Sequence, residues 1–458
     1  MLALSKYISD FLNKVCGEIK YKGVHGNIST ELQGHIYEIM ENYIESGMDK
    51  DRAIQKAVEQ MGDPIGIGKE LNKTHRPKTE WSIILLIGAM VLIGGITLFS
   101  VASDTASSIN FDQFFKFYLV YTLIGIGAFI SCYFFDYTKL EKYSIYIFIS
   151  IIAFLFASAI FGRELSGTQF IGIVKIRFAY STIALPFFLT SFSGLANKWS
   201  TGSIKDMLKL LTLAALAVIC TLYISFTTAI LLSAGFLIII TKAILNKGFK
   251  GNRKRFLFSI YGGGITLISM LLWVNNAVGS NYKATRLFIF LNPHLDPYEI
   301  GFISTLLKYF MLPNAKLFGK SDNLYFNHQG VDRIVLPEAN TDLVFAYIVS
   351  AFGWIVGIIT IIVIVLAVTR MFLAVRKINH QYGRYLASAI VSVFSLQALA
   401  SILINTGRLP ISGFSLPFIS YGGINFVINM ALMGLLLSVY RRKDLVTIEK
   451  GYCQRSGS

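Results

Sequence analysis

The chain has 458 residues, of which 54% are apolar and 15% charged, with a formal charge of +16 and a mean hydropathy of +0.58. Soluble domains carry about a quarter charged residues and disorder needs low hydrophobicity, so both classes are excluded for most of the chain. The basic excess fits the cytoplasmic loops of a membrane protein without invoking nucleic acid. Cys16, Cys132, Cys220 and Cys453 are scattered with no C-x-x-C, which implies neither a disulfide framework nor a zinc site.

Residues 1–80 read as a small helical domain ending in a basic linker. The opening MLALSKYISDFLNK is amphipathic and lacks the apolar core and cleavage site of a secretory signal. Leu32, Ile36, Ile39, Met40 and Tyr43 fall at helical spacing, with a capping box expected from Thr30 and Gln33 and a stop at Gly47. A second helix is expected from Asp49 to Gly62-Asp63-Pro64. Nothing in this part has catalytic spacing. Its histidines, His25, His35 and His75, are dispersed.

Residues 81–445 read as a membrane domain. Apolar runs at 82–101, 117–135, 143–161, 182–195, 208–223, 227–243, 256–273, 343–368, 385–404 and 416–440 give about ten transmembrane helices. The expected fold class is therefore an all-α polytopic membrane protein with a small N-terminal helical domain. The loops inner to this arrangement hold the basic runs, such as Lys247, Lys250, Arg253, Lys254 and Arg255. That bias places both termini, and the tail 446–458, in the cytoplasm. A long connection, 274–341, then lies outside and is the natural place for function.

Three segments hold the candidate chemistry. Arg286 and Asp296 sit in RLFIFLNPHLDP, a rigid corner whose arginine either binds a phosphate or carboxylate bidentately or snorkels to headgroups. Asp342 opens the eighth run, four residues after Glu338. It reads either as a buried functional carboxylate beside a second acid or as a first-turn acid on the helix dipole, capped by Asn340 or Thr341. Gly407–Gly423 opens the last run with an irregular backbone, tolerated at membrane depth only inside protein or along a polar cavity.

These segments carry a resemblance. LPISGFSLPFISYGG (409–423), LPEANTDLVFA (336–346), RLFIFLNPHLDPYEIGF (286–302) and Gln397-Ala398-Leu399 are similar to the motifs of the SEDS family (shape, elongation, division and sporulation), the FtsW/RodA/SpoVE proteins. ISTELQGHI and GMDKDRAIQKAVEQMGDP resemble a permease-prefix helical domain. The family resemblance implies a peptidoglycan glycosyltransferase polymerising lipid II, an undecaprenyl-pyrophosphate-linked precursor, on the outer face of the bacterial cytoplasmic membrane. It implies a class B penicillin-binding protein as partner and a divalent cation, magnesium or manganese, as an expected cofactor. Asp342 corresponds to the family's essential acid. Arg286, Asp296, Glu338, Thr341, Arg177, Gln397 and Ser420 are the expected substrate-binding residues, and no protein-bound metal site is expected.

The pattern also departs from the family. Gln169-Phe170 stand for an Arg-Trp, Thr182 for a Glu, Leu185 for a Lys, Asn340 for a His and Ser401 for an Asn. A non-catalytic scaffold or regulator of wall synthesis, and a transporter of a lipid-linked substrate, are the alternative readings.

Overall fold

The computed structural model describes residues 2–20, 25–74, 79–104, 111–161, 163–165, 168–173, 176–199, 204–245, 252–264, 289–290, 292–299, 301–328, 331–410 and 413–443. The chain divides into two units. One comprises Met1–Thr79, Lys377–His380 and the chain from Tyr440; the other comprises Glu80–Arg376 and Gln381–Val439.

In the first unit four helices, α1 (Leu2–Glu18), α2 (His25–Glu45), α3 (Lys50–Gln60) and α4 (Pro64–Thr74), enclose a core of Val15, Ile28, Ile36, Ala53, Ile54 and Ala57. Gly47 ends α2 in the left-handed region, with φ of 87°, and Asp49 caps α3 through the Asp51 N–H. Two expectations are corrected here. Helix α2 starts at His25, so Thr30 lies inside it and its hydroxyl donates back to the Gly26 carbonyl at 2.9 Å; no capping box forms. The second helix does stop at Gly62-Asp63-Pro64, α3 ending at Gln60, but the stretch expected after it as a linker begins as a helix: the Asp63 carboxylate accepts the Ile65 and Gly66 N–H groups and starts α4 with proline at its first position.

The second unit is the membrane domain. Its long helices are α5 (Trp81–Ser103), α6 (Phe111–Phe134), α7 (Thr138–Phe161), α8 (Tyr180–Trp199), α9 (Ile204–Ile224), α10 (Phe226–Leu245), α11 (253–264), α12 (Val344–Phe352), α13 (Trp354–Arg376), α14 (Gln381–Asn405) and α15 (Ile424–Arg441). Among the described residues, seven helices are long and apolar enough to cross a membrane. The second half of the seventh run, 265–273, lies outside the described residues. In α14 and α15, 72% of the most apolar window is buried, against 6% in α6. The first two are therefore central and α6 faces lipid. Small residues bring helices close: a Cβ on Gly194 of α8 would lie 1.9 Å from the Ser144 hydroxyl of α7.

Short strands interrupt this helical plan in the loops. An antiparallel meander joins β1 (Arg163–Leu165), β2 (Thr168–Ile173) and β3 (Ile176–Ala179) between α7 and α8. In the long connection, the apolar helix Phe302–Met311 ends in a π-helical turn, and β4 (Tyr325–His328) pairs with β5 (Val331–Ile334).

The eighth run is expected as a continuous span and is broken, whereas the tenth has the irregular entry that its sequence implies. The eighth divides at Gly353, where φ of 94° and ψ of 168° leave the helical region. Eight residues of helix would separate Val349 from Gly357 by about 12 Å, yet a Cβ on Gly357 would meet the Val349 side chain at 2.7 Å. Helix α12 is thus folded back on the start of α13. The backbone groups orphaned by the break are taken up by the outer loop. Gly319 and Ser321 donate to the Phe352 and Ser350 carbonyls, and Trp354 and Ile355 donate to those of Lys316 and Leu317, at 2.8–3.1 Å. The tenth run becomes helical only at Ile424. Before it, the chain passes the middle of α5, where a Cβ on Gly94 would lie 2.6 Å from the Ile419 carbonyl oxygen. The irregular backbone at membrane depth is therefore enclosed by protein.

Candidate functional site

The segment 336–346 carries the acid of interest. Glu338 takes φ of 51°, in the left-handed region. Its carbonyl accepts the N–H of Thr341 at 3.0 Å and of Leu343 at 3.2 Å, and the Thr341 hydroxyl at 3.4 Å. This tight turn delivers Asp342 just outside α12, whose cap residue is Leu343 and whose first turn contains no acid. The reading of Asp342 as a first-turn acid on the helix dipole is corrected: its carboxylate accepts the Gly413 N–H from the facing segment instead.

A buried asparagine fixes that geometry. Asn405, the last residue of α14 and fully buried, donates to the Asp342 carbonyl at 2.7 Å and to the Ser401 carbonyl at 2.8 Å. Its side-chain oxygen accepts the Ala346 N–H at 2.9 Å. From the other side the Tyr421 N–H donates to the Asn340 carbonyl at 2.8 Å. The acid-bearing turn is thus pinned to the end of α14 and to the segment before α15.

Asp342 is 9% exposed. Burial, and secondarily the negative charge of the exposed Glu338, push its pKa up to about 7, while the Gly413 N–H opposes the rise. Near neutral pH the group holds both a carboxylate and an acid form in quantity, as a proton acceptor needs. Glu338, Thr341 and Asp342 are brought together on this one turn.

Gln397 and Ser420 are both buried, and among the described residues Gln397 Oε1 and Ser420 Oγ have no hydrogen-bond partner; nor do Ser401 Oγ and Ser350 Oγ. Buried polar atoms of this kind call for water or a ligand. Asp296 serves its own turn, its carboxylate accepting the Glu299 N–H at 3.2 Å. Arg177 lies on β3 opposite Gly172. Arg286 lies outside the described residues.

Residues 80–445 match the model of the FtsW/RodA/SpoVE cell cycle proteins. The chain belongs to this family. Relatives within the family include a probable peptidoglycan glycosyltransferase FtsW of Geobacter metallireducens, 25% identical over 82% of this chain and 99% of that protein. Stage V sporulation protein E of Bacillus subtilis is 29% identical over 38% of this chain and 46% of its own length. Among solved structures, a chain of a peptidoglycan synthase complex has a TM-score of 0.61 at 19% identity, covering 80% of this chain and 98% of that one. The RodA of Thermus thermophilus has a TM-score of 0.55 at 16% identity, covering 80% and 97%. The likeness extends the family fold to this chain, a multi-pass protein of the cytoplasmic membrane.

Two elements of this candidate site escaped sequence reasoning. Asn405 was one; a lone amide ending an apolar helix, directly before Thr406-Gly407, is the signal that would have found it. The other is the polar ladder from Ser415 through Asn425 to Asn429, bonded at 2.8 and 3.2 Å inside the start of α15. It is visible in the sequence only as asparagines four residues apart.

Proposed function

We propose that this chain is a peptidoglycan glycosyltransferase that polymerises lipid II, with Asp342 as general base. The supporting observation is a single one: a buried carboxylate with a pKa near 7, in a turn locked by Asn405. The acceptor sugar hydroxyl gives its proton to Asp342 as its oxygen bonds to the anomeric carbon of the donor. The bond from that carbon to the pyrophosphate oxygen breaks with its electron pair, and undecaprenyl pyrophosphate leaves. Lys308, packed against Gly407, and the exposed Arg408 are the cations proposed for the leaving group. Thr341, Gln397 and Ser420 supply hydrogen bonds to the sugars, and Arg177, Arg286 and Asp296 complete the proposed substrate contacts.

Among the described residues no group of three or more His, Cys, Asp or Glu could hold a metal ion. Magnesium or manganese held mainly by phosphate oxygens and water, with the exposed Glu338 as the carboxylate offered to it, would leave Asp342 free to take the proton. Such a cation supplies positive charge to the departing pyrophosphate. A class B penicillin-binding protein is the proposed partner, a reading supported by the likeness to a chain of a peptidoglycan synthase complex.

One observation favours the second reading, a non-catalytic scaffold: Leu185, where the family resemblance leads one to expect a lysine, is fully buried. Purified protein with lipid II, a divalent cation and a candidate partner separates the two. Glycan chains that vanish in Asp342→Ala support the enzyme. Absence of chains with every partner, together with full complementation of cells by Asp342→Ala, supports the scaffold.

A further inference from the structure

At the end of the bundle opposite Asp342, three helices converge their positive charge on one place. Lys242 lies in the last turn of α10, Arg376 ends α13, and Arg384 lies in the first turn of α14. The Lys242 ammonium is half-buried and turns inward to donate to the Ser388 hydroxyl, which itself donates to the Arg384 carbonyl at 2.5 Å. Lys242 Nζ lies 6.0 Å and Arg376 Cζ 4.7 Å from the centre of the same Phe372 ring. Among the described residues, neither Lys242 nor Arg376 is ion-paired with a carboxylate. The loop charges assign this end of the bundle to the cytoplasmic side.

A lysine that only marked topology would extend its stem toward water. This one instead bonds into the bundle beside two arginines. An ammonium has three donors, and the only hydrogen bond it makes with a described residue uses one of them. Like charges gathered at a low-dielectric boundary repel strongly unless an anion sits among them. The Phe372 ring against which both cations lie, 43% exposed, offers an apolar wall for an acyl or prenyl chain.

We propose that Lys242, Arg376, Arg384 and Ser388 form a binding site for a lipid-borne phosphate anion at the cytoplasmic membrane surface. Phosphodiester headgroups of the anionic phospholipids and the pyrophosphate of a polyprenyl carrier share the required chemistry. The site is separate from the outer turn that carries Asp342 and does not rest on the glycosyltransferase reading.

The test uses the full chain in nanodiscs of phosphatidylcholine containing a small fraction of phosphatidylglycerol, with bound lipid counted by native mass spectrometry. Lys242→Met and Arg376→Gln, singly and together, are compared with Lys254→Gln, an exposed basic residue in the first turn of α11. The double variant is expected to retain about tenfold less phosphatidylglycerol, each single variant an intermediate amount, and Lys254→Gln as much as the native chain. If the double variant fails to fold by gel filtration, the singles carry the comparison. Competition with undecaprenyl pyrophosphate then separates the sources: displacement at equimolar amounts assigns a polyprenyl carrier, and persistence of phosphatidylglycerol assigns bulk phospholipid. Equal retention by the native chain and the charge-neutralised variants, or an equal loss in Lys254→Gln, overturns the site.

Discussion

Asp342 illustrates how much one carboxylate depends on its surroundings. An ordinary aspartate is fully ionised at neutral pH; here burial and Glu338 hold the pKa near 7. The native state therefore binds a proton that the unfolded chain has already released between about pH 4 and pH 7. Stability consequently falls as pH rises through that window and is level above it. Asp342→Asn should remove this slope, measured as the pH dependence of thermal unfolding. Activity should have the opposite dependence, since the proposed base must be ionised. We expect glycan synthesis to rise with pH on an acid limb near 7, and Glu338→Gln to move that limb lower by removing a like charge. A limb that stays in place in Glu338→Gln would sever the two acids. Asp342→Ala should cost about a hundredfold or more in rate. Asn405→Ala leaves the Ala346 N–H and the Asp342 carbonyl without their buried partner. It should cost about 1–3 kcal/mol in stability and lower polymerisation, read by thermal unfolding and by product gels. The sequence singled out Asp342 and Glu338 by position and by family resemblance. It did not reveal Asn405, because a buried amide is informative only once the atoms facing it are known.

At the scale of the element, hydropathy finds apolar runs but is blind to where they bend. The eighth run reads as one span because every residue from Leu343 to Ala351, except Ser350, is apolar and the glycine that breaks it is a common residue in membrane helices. The break rests on backbone contacts from a loop some thirty residues earlier, which no local pattern records. Gly353 needs its freedom on two counts: its φ of 94° and its fit against Leu317 and Phe318, 2.6 Å from where a Cβ would lie. Gly353→Ala should therefore destabilise by about 2 kcal/mol or more. Gly88→Ala in α5, where a Cβ meets nothing within 4 Å, should change stability by no more than about 1 kcal/mol. Thermal unfolding of both, side by side, is the check. The irregular entry to α15 was legible for a different reason: its glycines and prolines are dense enough to rule out a helix over 407–423. The strands between α7 and α8 were not, since short alternating runs in a loop compete poorly with the apolar signal on either side.

For the whole molecule, loop charge and run order carried most of the architecture, because the bilayer allows few alternatives to bundled helices. The N-terminal unit was legible through the spacing of Leu32, Ile36 and Ala53, while α4 was hidden by a glycine, aspartate and proline that serve equally as stop and as start. Orientation yields a direct measurement. A cysteine placed at Tyr298, 88% exposed in the long connection, should react with an impermeant maleimide in intact cells. One placed at Lys254 should react only after the membrane is opened. The reverse pattern would invert every assignment of face made above.

The seam at Gly353 makes the external loop and the acid-bearing helix a single mechanical piece. Four peptide bonds of one clasp four of the other, so residues 316–321 cannot be drawn outward without dragging α12 or tearing the clasp. Anything that grips that loop from outside the membrane holds a drawbar attached, one helix away, to the turn that carries Asp342.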